Sequence, residues 1–334
     1  MLSQIRTLLK SWWQQTPLPI TTTTPSSQKW HNFDRDQWIL FVDDKTSRPG
    51  IRHQWAGYFR LVSWNVNADA SLPKSRMTAL LQVIKTTEAI NIIFLQEVSM
   101  GALTTLLEES WIQQNWYTSD ANASTFGNQK LISITLVSKL WVATSVISLD
   151  AIWRVSLPSC FARDALCCDL VLNSSSKHTS GRSSLRIRLI NVHLNSLPIN
   201  PSLRPHQISI GASYLSAAGR GIIAGDFNSV FPEDDDLVRA NNLTDAWAHL
   251  HANDTDHTWG VYGEQSFPPN RLDKVALLNL TTLGMGILRT SKLGFCDEKN
   301  LVDVTQSVSE ARFSDHFGLW CDIGWAEDRP QPAV

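Results

Sequence analysis

In GIIAGDFNSV, residues Gly221–Val230, an apolar run of strand length, Gly221–Phe227, ends in two polar residues spaced two apart, Asp226 and Asn228. Side chains on a strand alternate between its faces, so both members of such a pair project to the same side. The arrangement recurs along the chain. Phe59–Val66 ends in Asn65-x-Asn67, Leu185–Leu194 contains Asn191-x-His193, and Arg271-x-Asp273 opens the run from Asp273 to Leu280. Gln96 and Glu97 close the run Asn91–Glu97, and Asp315-His316 precede Phe317–Ile323. Leu131–Val137 and Ala165–Leu172 read as two further strands. Lys74–Ile90 carries Met77, Leu80, Leu81 and Ile84 at helical spacing, and Leu203–Ala218 is a second candidate helix. Ser174–Arg182 and Phe231–Asp236 look like exposed loops. This is an α/β (α+β) pattern with no fixed-length repeat.

Polar strand ends are ordinary features, and any one pair decides nothing. The ensemble is less ordinary: carboxylates, amides and two histidines terminate six apolar runs that would lie side by side in a sheet. Glu97, Asp226, Asp273 and Asp315 brought together would repel one another unless a cation or a proton joined them. Oxygen donors from Asp, Glu and Asn suit a hard cation, Mg²⁺ or Mn²⁺, better than Zn²⁺, because the cysteines are not spaced to bind zinc. A metal, a base for water and His/Asn donors are what phosphodiester hydrolysis requires. Asp273 is placed to orient a histidine. Gly-x-Ser-x-Gly, the P-loop and G-x-G-x-x-G are all missing, which argues against a serine hydrolase, a P-loop NTPase and a dinucleotide enzyme.

Composition sets the outer limits. The 334 residues are 43% hydrophobic and 18% charged, which excludes a disordered or fibrous chain. Lys+Arg number 29 against 31 Asp+Glu, so no basic surplus points to nucleic acid, although a phosphate substrate stays open. Five cysteines (Cys160, Cys167, Cys168, Cys296, Cys321), odd in number and without CxxC spacing, suit a reduced intracellular protein. With no apolar run of about 18 residues and no secretory signal, the expectation is a soluble protein with no membrane role. The first 33 residues hold Arg6, Lys10 and Lys29 and no acid, too few cations to favour a mitochondrial presequence. Thr16–Gln28 (TPLPITTTTPSSQ) lacks a hydrophobic period. The expected organisation is a flexible segment over 1–29, one catalytic domain over 30–326 and a tail over 327–334.

The blocks VSWNVNA (Val62–Ala68), FLQEVS (Phe94–Ser99), NVHLNSLP (Asn191–Pro198), AGDFNSV (Ala224–Val230), RLDKV (Arg271–Val275) and SDHFGLW (Ser314–Trp320) occur in the order in which they occur in the endonuclease/exonuclease/phosphatase superfamily. The chain resembles that superfamily, and within it the tyrosyl-DNA phosphodiesterase 2 branch, through its His-Leu-x-Ser, Arg-x-Asp and Ser-Asp-His-x-Gly-Leu blocks. ARDALCCDL (Ala162–Leu170) and HTWG (His257–Gly260) are similar to two more segments of that branch. The resemblance implies a four-layer sandwich of two mixed β-sheets flanked by helices, the DNase I-like fold. It implies an Mg²⁺-dependent 5′-tyrosyl-DNA phosphodiesterase, working as a nuclear monomer on DNA ends that carry a protein adduct.

By the same resemblance, Glu97 is the main metal ligand, with Asn67 and Asp315 beside it and Asn65 positioning the ion. Asp226 activates water with Asn228, and His193 and His316 stabilise charge on the phosphorane, His316 being oriented by Asp273. Ser196, Arg163 and Arg271 contact substrate, and Trp259 forms an apolar wall under the terminal nucleotide. One departure is Asn67, where the branch often has Asp; a neutral amide adds no charge, and Asp69 is the nearest acid able to compensate. Rivals within the fold are an abasic endonuclease, an RNA deadenylase, a sphingomyelinase-like enzyme and an inositol phosphatase. The rival from another class is a catalytically silent nucleic-acid-binding module. Setting aside the four acids of the proposed site leaves 27 against 29 bases, so the overall charge does not argue against a nucleic-acid substrate.

Overall fold

Four inner-face patterns build the molecule: Phe59-Leu61-Ser63-Asn65, Ile92-Phe94-Gln96, Ile187-Leu189-Asn191-His193 and Ile222-Ala224-Asp226. Each is apolar for most of its length and polar at its C-terminal end, so packing the four together yields a dry core capped by a polar layer. The computed structural model describes residues 16–19, 24–42, 57–67, 71–127, 129–144, 146–172, 185–252, 256–263, 267–289 and 312–325. Asp69, Cys296, the expected loop over 174–182 and the 327–334 tail lie outside the described residues.

The strands are β1 (Ser26–Gln28), β2 (His31–Asp34), β3 (Gln37–Leu40), β4 (Tyr58–Asn65), β5 (Ile90–Ser99), β6 (Trp116–Thr118), β7 (Leu131–Ser138), β8 (Ile147–Ser156), β9 (Asp164–Leu172), β10 (Leu185–His193), β11 (Gly221–Asp226), β12 (Thr244–Asp245), β13 (Asp273–Leu278), β14 (Thr281–Leu288) and β15 (Gly318–Gly324). The helices are α1 (Pro73–Thr86), α2 (Met100–Glu108), α3 (Ser110–Asn115), α4 (Lys139–Ala143), α5 (Arg204–Ala218) and α6 (Ala246–Leu250). One sheet runs β1-β8-β9-β10-β11-β13-β12 and the other β14-β15-β4-β5-β7-β6-β2-β3. Both are mixed, since β10–β11 and β4–β5 are parallel pairs and their other pairings are antiparallel.

Phe59, Leu61, Ile92, Phe94, Leu189, Ile222 and Val275 fill the space between the sheets. On the outer face of the eight-stranded sheet, Met77, Leu80, Leu81 and Ile84 of α1 and Leu103 and Leu106 of α2 cover Val62, Trp64, Ile93 and Leu95. On the other outer face, Ile208, Ala212 and Leu215 of α5 cover Ile190, Val192 and Ile223. The result is the expected four-layer sandwich. Among the described residues, no helix is long and apolar enough to cross a membrane. Cys160, Cys167, Cys168 and Cys321 are free thiols, all but Cys160 buried.

Several elements differ from the sequence expectation. β8 escapes notice because Asp150 interrupts its alternation where the register shifts between Leu149 and Ile152, a bulge. β14 carries Gly284 and Gly286, which make room for the Trp320 ring; a Cβ at Gly286 would lie 2.6 Å from the indole nitrogen. Helices of five to nine residues are too short to display a helical period. The lead-in is not wholly unstructured: Ser26–Gln28 pairs with β8, and the Pro17 carbonyl accepts a 2.7 Å bond from Arg188. Phe231–Asp236 is exposed at Pro232, Glu233, Asp235 and Asp236, as expected of a loop, but not throughout. Pro232–Asp234 forms a 3-10 turn whose Asp234 is fully buried.

Candidate active site

Strand register assembles the polar layer. Asn65 lies beside Gln96 in one sheet, and His193, Asp226 and Asp273 lie side by side in the other. A side chain at position 225 would block this; a Cβ there would sit 2.0 Å from the Val192 carbonyl oxygen, so only glycine fits between the strands.

Asp226 is at the centre. Its Oδ2 accepts 2.9 Å from Asn65 Nδ2 and its Oδ1 accepts 2.8 Å from the Asn228 backbone N–H. Burial pushes its carboxyl up to about 7; the His316 charge opposes that shift and Asp273 adds to it. His316 Nδ1 is 2.8 Å from Asp273 Oδ2, and its Nε2 is 3.8 Å from Asp226 Oδ2. Burial disfavours a charged ring at His316, but Asp273 and Asp226 outweigh it and raise its pKa well above the ordinary histidine value. His193 is driven the other way, well below its ordinary value, by burial and then by the charges of Arg163 and His316. Its Nε2 lies 3.4 Å from Asp226 Oδ2, 3.6 Å from Glu97 Oε1 and 3.5 Å from Ser196 Oγ. The two rings beside Asp226 are thus driven in opposite directions, His316 toward the charged form and His193 toward the neutral one.

Glu97 reaches this layer through an irregular backbone. It has φ 57, and the β5–β7 register shifts between Leu95 and Val98, so the bulge turns its carboxylate out of the alternation. Burial raises its pKa, and His316 and then Arg163 pull it back down. Arg163 Nη2 donates 2.9 Å to Ser196 Oγ, its guanidinium rests over the Phe161 ring at 5.5 Å, and its Nε is buried without a partner among the described residues. Glu97, His193 and Arg163 share a crevice with Gln129, Ser133 and Asp164.

Three pairs are placed differently from the alternation argument. Asn67 and Asn228 lie beyond their strands with left-handed backbones, φ 46 and 48. Each folds its backbone N–H back onto the side chain two residues earlier, Asn67 to Asn65 Oδ1 at 3.0 Å and Asn228 to Asp226 Oδ1 at 2.8 Å. Arg271 also precedes its strand, and it forms a two-pronged ion pair with Asp245 at the start of α6 instead of joining the layer. Asp315 accepts 3.0 Å from the Trp259 indole nitrogen, and Trp259 forms an isolated bridge with His316. Trp259 is half-buried, whereas Trp64 is fully buried and donates to the His316 carbonyl at 3.0 Å. Trp320 is half-buried under the Arg60 guanidinium.

Some supporting groups carry no sequence signal of their own. Ser314 Oγ donates 2.7 Å to the Asn65 carbonyl and accepts from the His316 N–H, while Thr258 Oγ1 accepts from the Asp273 N–H. Gln129, which donates to the Ala162 carbonyl, belongs to no apolar run. For a cation, donor atoms of Asp226, Asp273 and His316 lie within 4.8 Å of one another. Two of these are already bonded to each other, although Asp273 Oδ1 is buried and unpartnered among the described residues. With Glu97 alongside, the donor set is carboxylate-rich and fits a hard divalent ion.

The histidine–carboxylate layer at one end of the two-sheet sandwich combines a buried carboxylate with histidine donors, the groups that phosphoester hydrolysis uses. Residues 62–316 match the sequence profile of the Endonuclease/Exonuclease/phosphatase family, and the chain belongs to that family, whose members depend on divalent metal. Among solved structures, TDP2 from D. rerio, complexed with single strand DNA product, superposes with a TM-score of 0.58 at 17% identity, over 80% of this chain and 99% of that one. Truncated TDP2 from Caenorhabditis elegans gives 0.58 at 17%, over 80% and 97%. ANGEL2, a 2′,3′-cyclic phosphatase in complex with adenosine-2′,3′-vanadate, gives 0.53 at 14%, over 81% and 97%. At these identities the likeness is one of fold. None of the curated proteins compared by sequence matches the chain.

Proposed function

We propose that the chain is an Mg²⁺-dependent phosphodiesterase of DNA ends that releases a 5′-linked tyrosyl peptide and leaves a 5′-phosphate. The observation that carries the hydrolytic reading is the pairing of the His316–Asp273 dyad with Asp226. A charged donor and a carboxylate with a pKa near neutrality share one buried layer. Asp226, held by Asn65 and the Asn228 N–H, takes the proton of the attacking water. The new P–O bond forms as the bond to the tyrosyl oxygen breaks. His316 and His193 donate to the phosphoryl oxygens as charge builds on them, and Arg163 and Ser196 hold the phosphate. Glu97 would hold the metal, with Asp315 and the Asn67 amide near it; when bound, the ion offsets the clustered carboxylates and polarises the phosphate. Arg271 is given no part, because Asp245 engages it.

The choice of DNA ends rests on Trp259, half-buried beside His316 with its indole nitrogen on Asp315. That leaves ring surface for a terminal base, a contact worth about 1–3 kcal/mol. Trp259→Ala is expected to cut kcat/KM on a 5′-phosphotyrosyl oligonucleotide by about 10–100-fold, while changing that on a small aryl phosphodiester by less than about 3-fold. Equal losses on both would make the ring a packing element. A nuclear setting and a monomeric state belong to the same proposal.

The deciding experiment is a substrate panel with and without chelator: 5′-phosphotyrosyl DNA, abasic duplex, poly(A) RNA, a 2′,3′-cyclic phosphate, sphingomyelin and an inositol phosphate. Tyrosyl release restored by Mg²⁺ and lost by at least about 10³-fold in EDTA is the expected result. Preference for another member would transfer the chain to that branch. Oligonucleotide binding without hydrolysis of any member would make it a binding module.

A further inference from the structure

At the inner edge of the catalytic layer lies a polar pair that takes no part in the chemistry above: Gln96, beside Asn65, and Asn191, one same-face position below His193. Gln96 and Asn191 are both fully buried between the sheets. Gln96 Nε2 donates 2.8 Å to Asn191 Oδ1 and 3.3 Å to Ser63 Oγ; Asn191 Nδ2 donates 2.9 Å to the Ile134 carbonyl and 3.3 Å to that of Leu95. Gln96 belongs to β5 in one sheet and Asn191 to β10 in the other, so their bond crosses the sandwich. Gln96 immediately precedes Glu97, and Asn191 stands two residues before His193 on the same face of its strand. Across the cleft above them, Glu97 Oε1 and His193 Nε2 face each other at 3.6 Å.

Thermodynamics gives this bridge little reason to exist for stability alone. Gln96 Oε1 is buried with no partner among the described residues, which costs about 1–3 kcal/mol. The rows below it, Phe94 and Leu189, are apolar and pack without such a cost. A cross-sheet hydrogen bond does fix one quantity that apolar packing fixes poorly, the separation of the two sheets at that height. Gly225 adjoins the bridge, since a Cβ there would lie 3.2 Å from Gln96 Nε2.

We propose that Gln96 and Asn191 are positioning residues whose cross-sheet amide bond sets the distance between the Glu97 carboxylate and the His193 imidazole. The inference rests on the phosphodiesterase reading and adds two residues that touch neither substrate nor metal. Their contribution is to kcat, because a misplacement of about 1 Å in such a layer costs about 10²-fold.

The test compares wild type, Gln96→Leu/Asn191→Leu and the reciprocal swap Gln96→Asn/Asn191→Gln, with thymidine 5′-(4-nitrophenyl phosphate) and Mg²⁺. The Leu pair also takes the amide donors away from the Ile134 and Leu95 carbonyls and from Ser63 Oγ, so it is expected to melt below wild type yet cooperatively, and the swap is the control for that loss. The kcat of the Leu pair falls by about 10²-fold, with KM changed by less than about 3-fold. The swap keeps two amides of the same combined length and recovers kcat to within about 10-fold of wild type. A folded Leu pair with kcat within about 3-fold of wild type overturns the proposal, as does a loss confined to KM. Failure of both double variants to melt cooperatively would make the bridge a folding element and overturn it too. A wild type that hydrolyses no phosphodiester would remove the functional reading and this inference together, an outcome separable from the others by the wild-type control alone.

Discussion

Asp226→Asn is expected to lower kcat by at least about 10³-fold, the upper part of the range for losing a general base, and yet to melt no lower than wild type in EDTA at pH 8. The two halves of that expectation have one cause. Burial raises the Asp226 carboxyl from an ordinary aspartate value to about 7, so the folded state holds a proton that the unfolded chain has lost. Where the native state binds more protons, stability falls as pH rises. Both states are protonated below the unfolded value of 3.8, the cost grows as pH rises from there to the folded pKa near 7, and it is fully present at pH 8. At about 1.4 kcal/mol per pKa unit it amounts to a few kcal/mol. An amide carries no such cost, although it accepts only one of the two bonds from Asn65 and the Asn228 N–H. Thermal melts in EDTA at pH 5 and pH 8 check this: the Asn variant gains on wild type as pH rises. A variant that loses ground at pH 8, or that keeps activity, removes Asp226 from the role of base. His316→Ala should be equally inactive but less stable, because Asp273 then remains buried without its cation.

The inner faces of the sandwich were legible in the sequence because each strand changes from apolar to polar at the same height. Leu61-Ser63-Asn65 and Leu189-Asn191-His193 show the change directly, and parallel pairing brings the polar ends together. Alternation failed where the chain leaves the strand. Asn67 and Asn228 share a strand-end pattern with Asn65 and Asp226, yet their left-handed backbones convert them into turn residues that serve through N–H groups. Glu97 is the converse case. Strict alternation would send it to the face opposite Gln96, and the bulge in β5 brings it to the site instead. Such kinks leave no trace in a period-two pattern; the sequence offered Glu97 only as the acid that closes an apolar run, and its role as main metal ligand came from resemblance. Arg271 shows a further limit, since Asp245, 26 residues away in sequence, pairs with it through a contact no local pattern announces.

The acidic stretch after the Asp226 block gives the second large effect, on stability. Asp234→Ala is expected to cost about 3–5 kcal/mol and to lower the melting temperature by on the order of 10 °C. Asp236→Ala, two residues on, should leave melting unchanged. Sequence alone treats both acids as members of one solvated loop, but their surroundings are opposite. Asp236 pairs with Arg239 where both side chains are exposed. Asp234 is fully buried and accepts from Arg204 Nε at 2.7 Å, Ser202 Oγ at 3.2 Å and the N–H groups of Val230 and Phe231 at 3.1 and 3.0 Å. Arg204, itself 1% exposed, uses Nη1 to hold the carbonyls of Asn195 and Leu197. Removing the carboxylate strands that guanidinium in the interior, where an uncompensated charge is far more costly than the pair is favourable. The pair also ties the segment after Asp226 and Asn228 to the segment after His193 and Ser196, so both sides of the phosphate site depend on it. Urea unfolding of the two alanine variants measures the difference directly. If Asp234→Ala melts within about 2 °C of wild type, the pair is not the tie between those segments, and Arg204 must find another anion when Asp234 is gone.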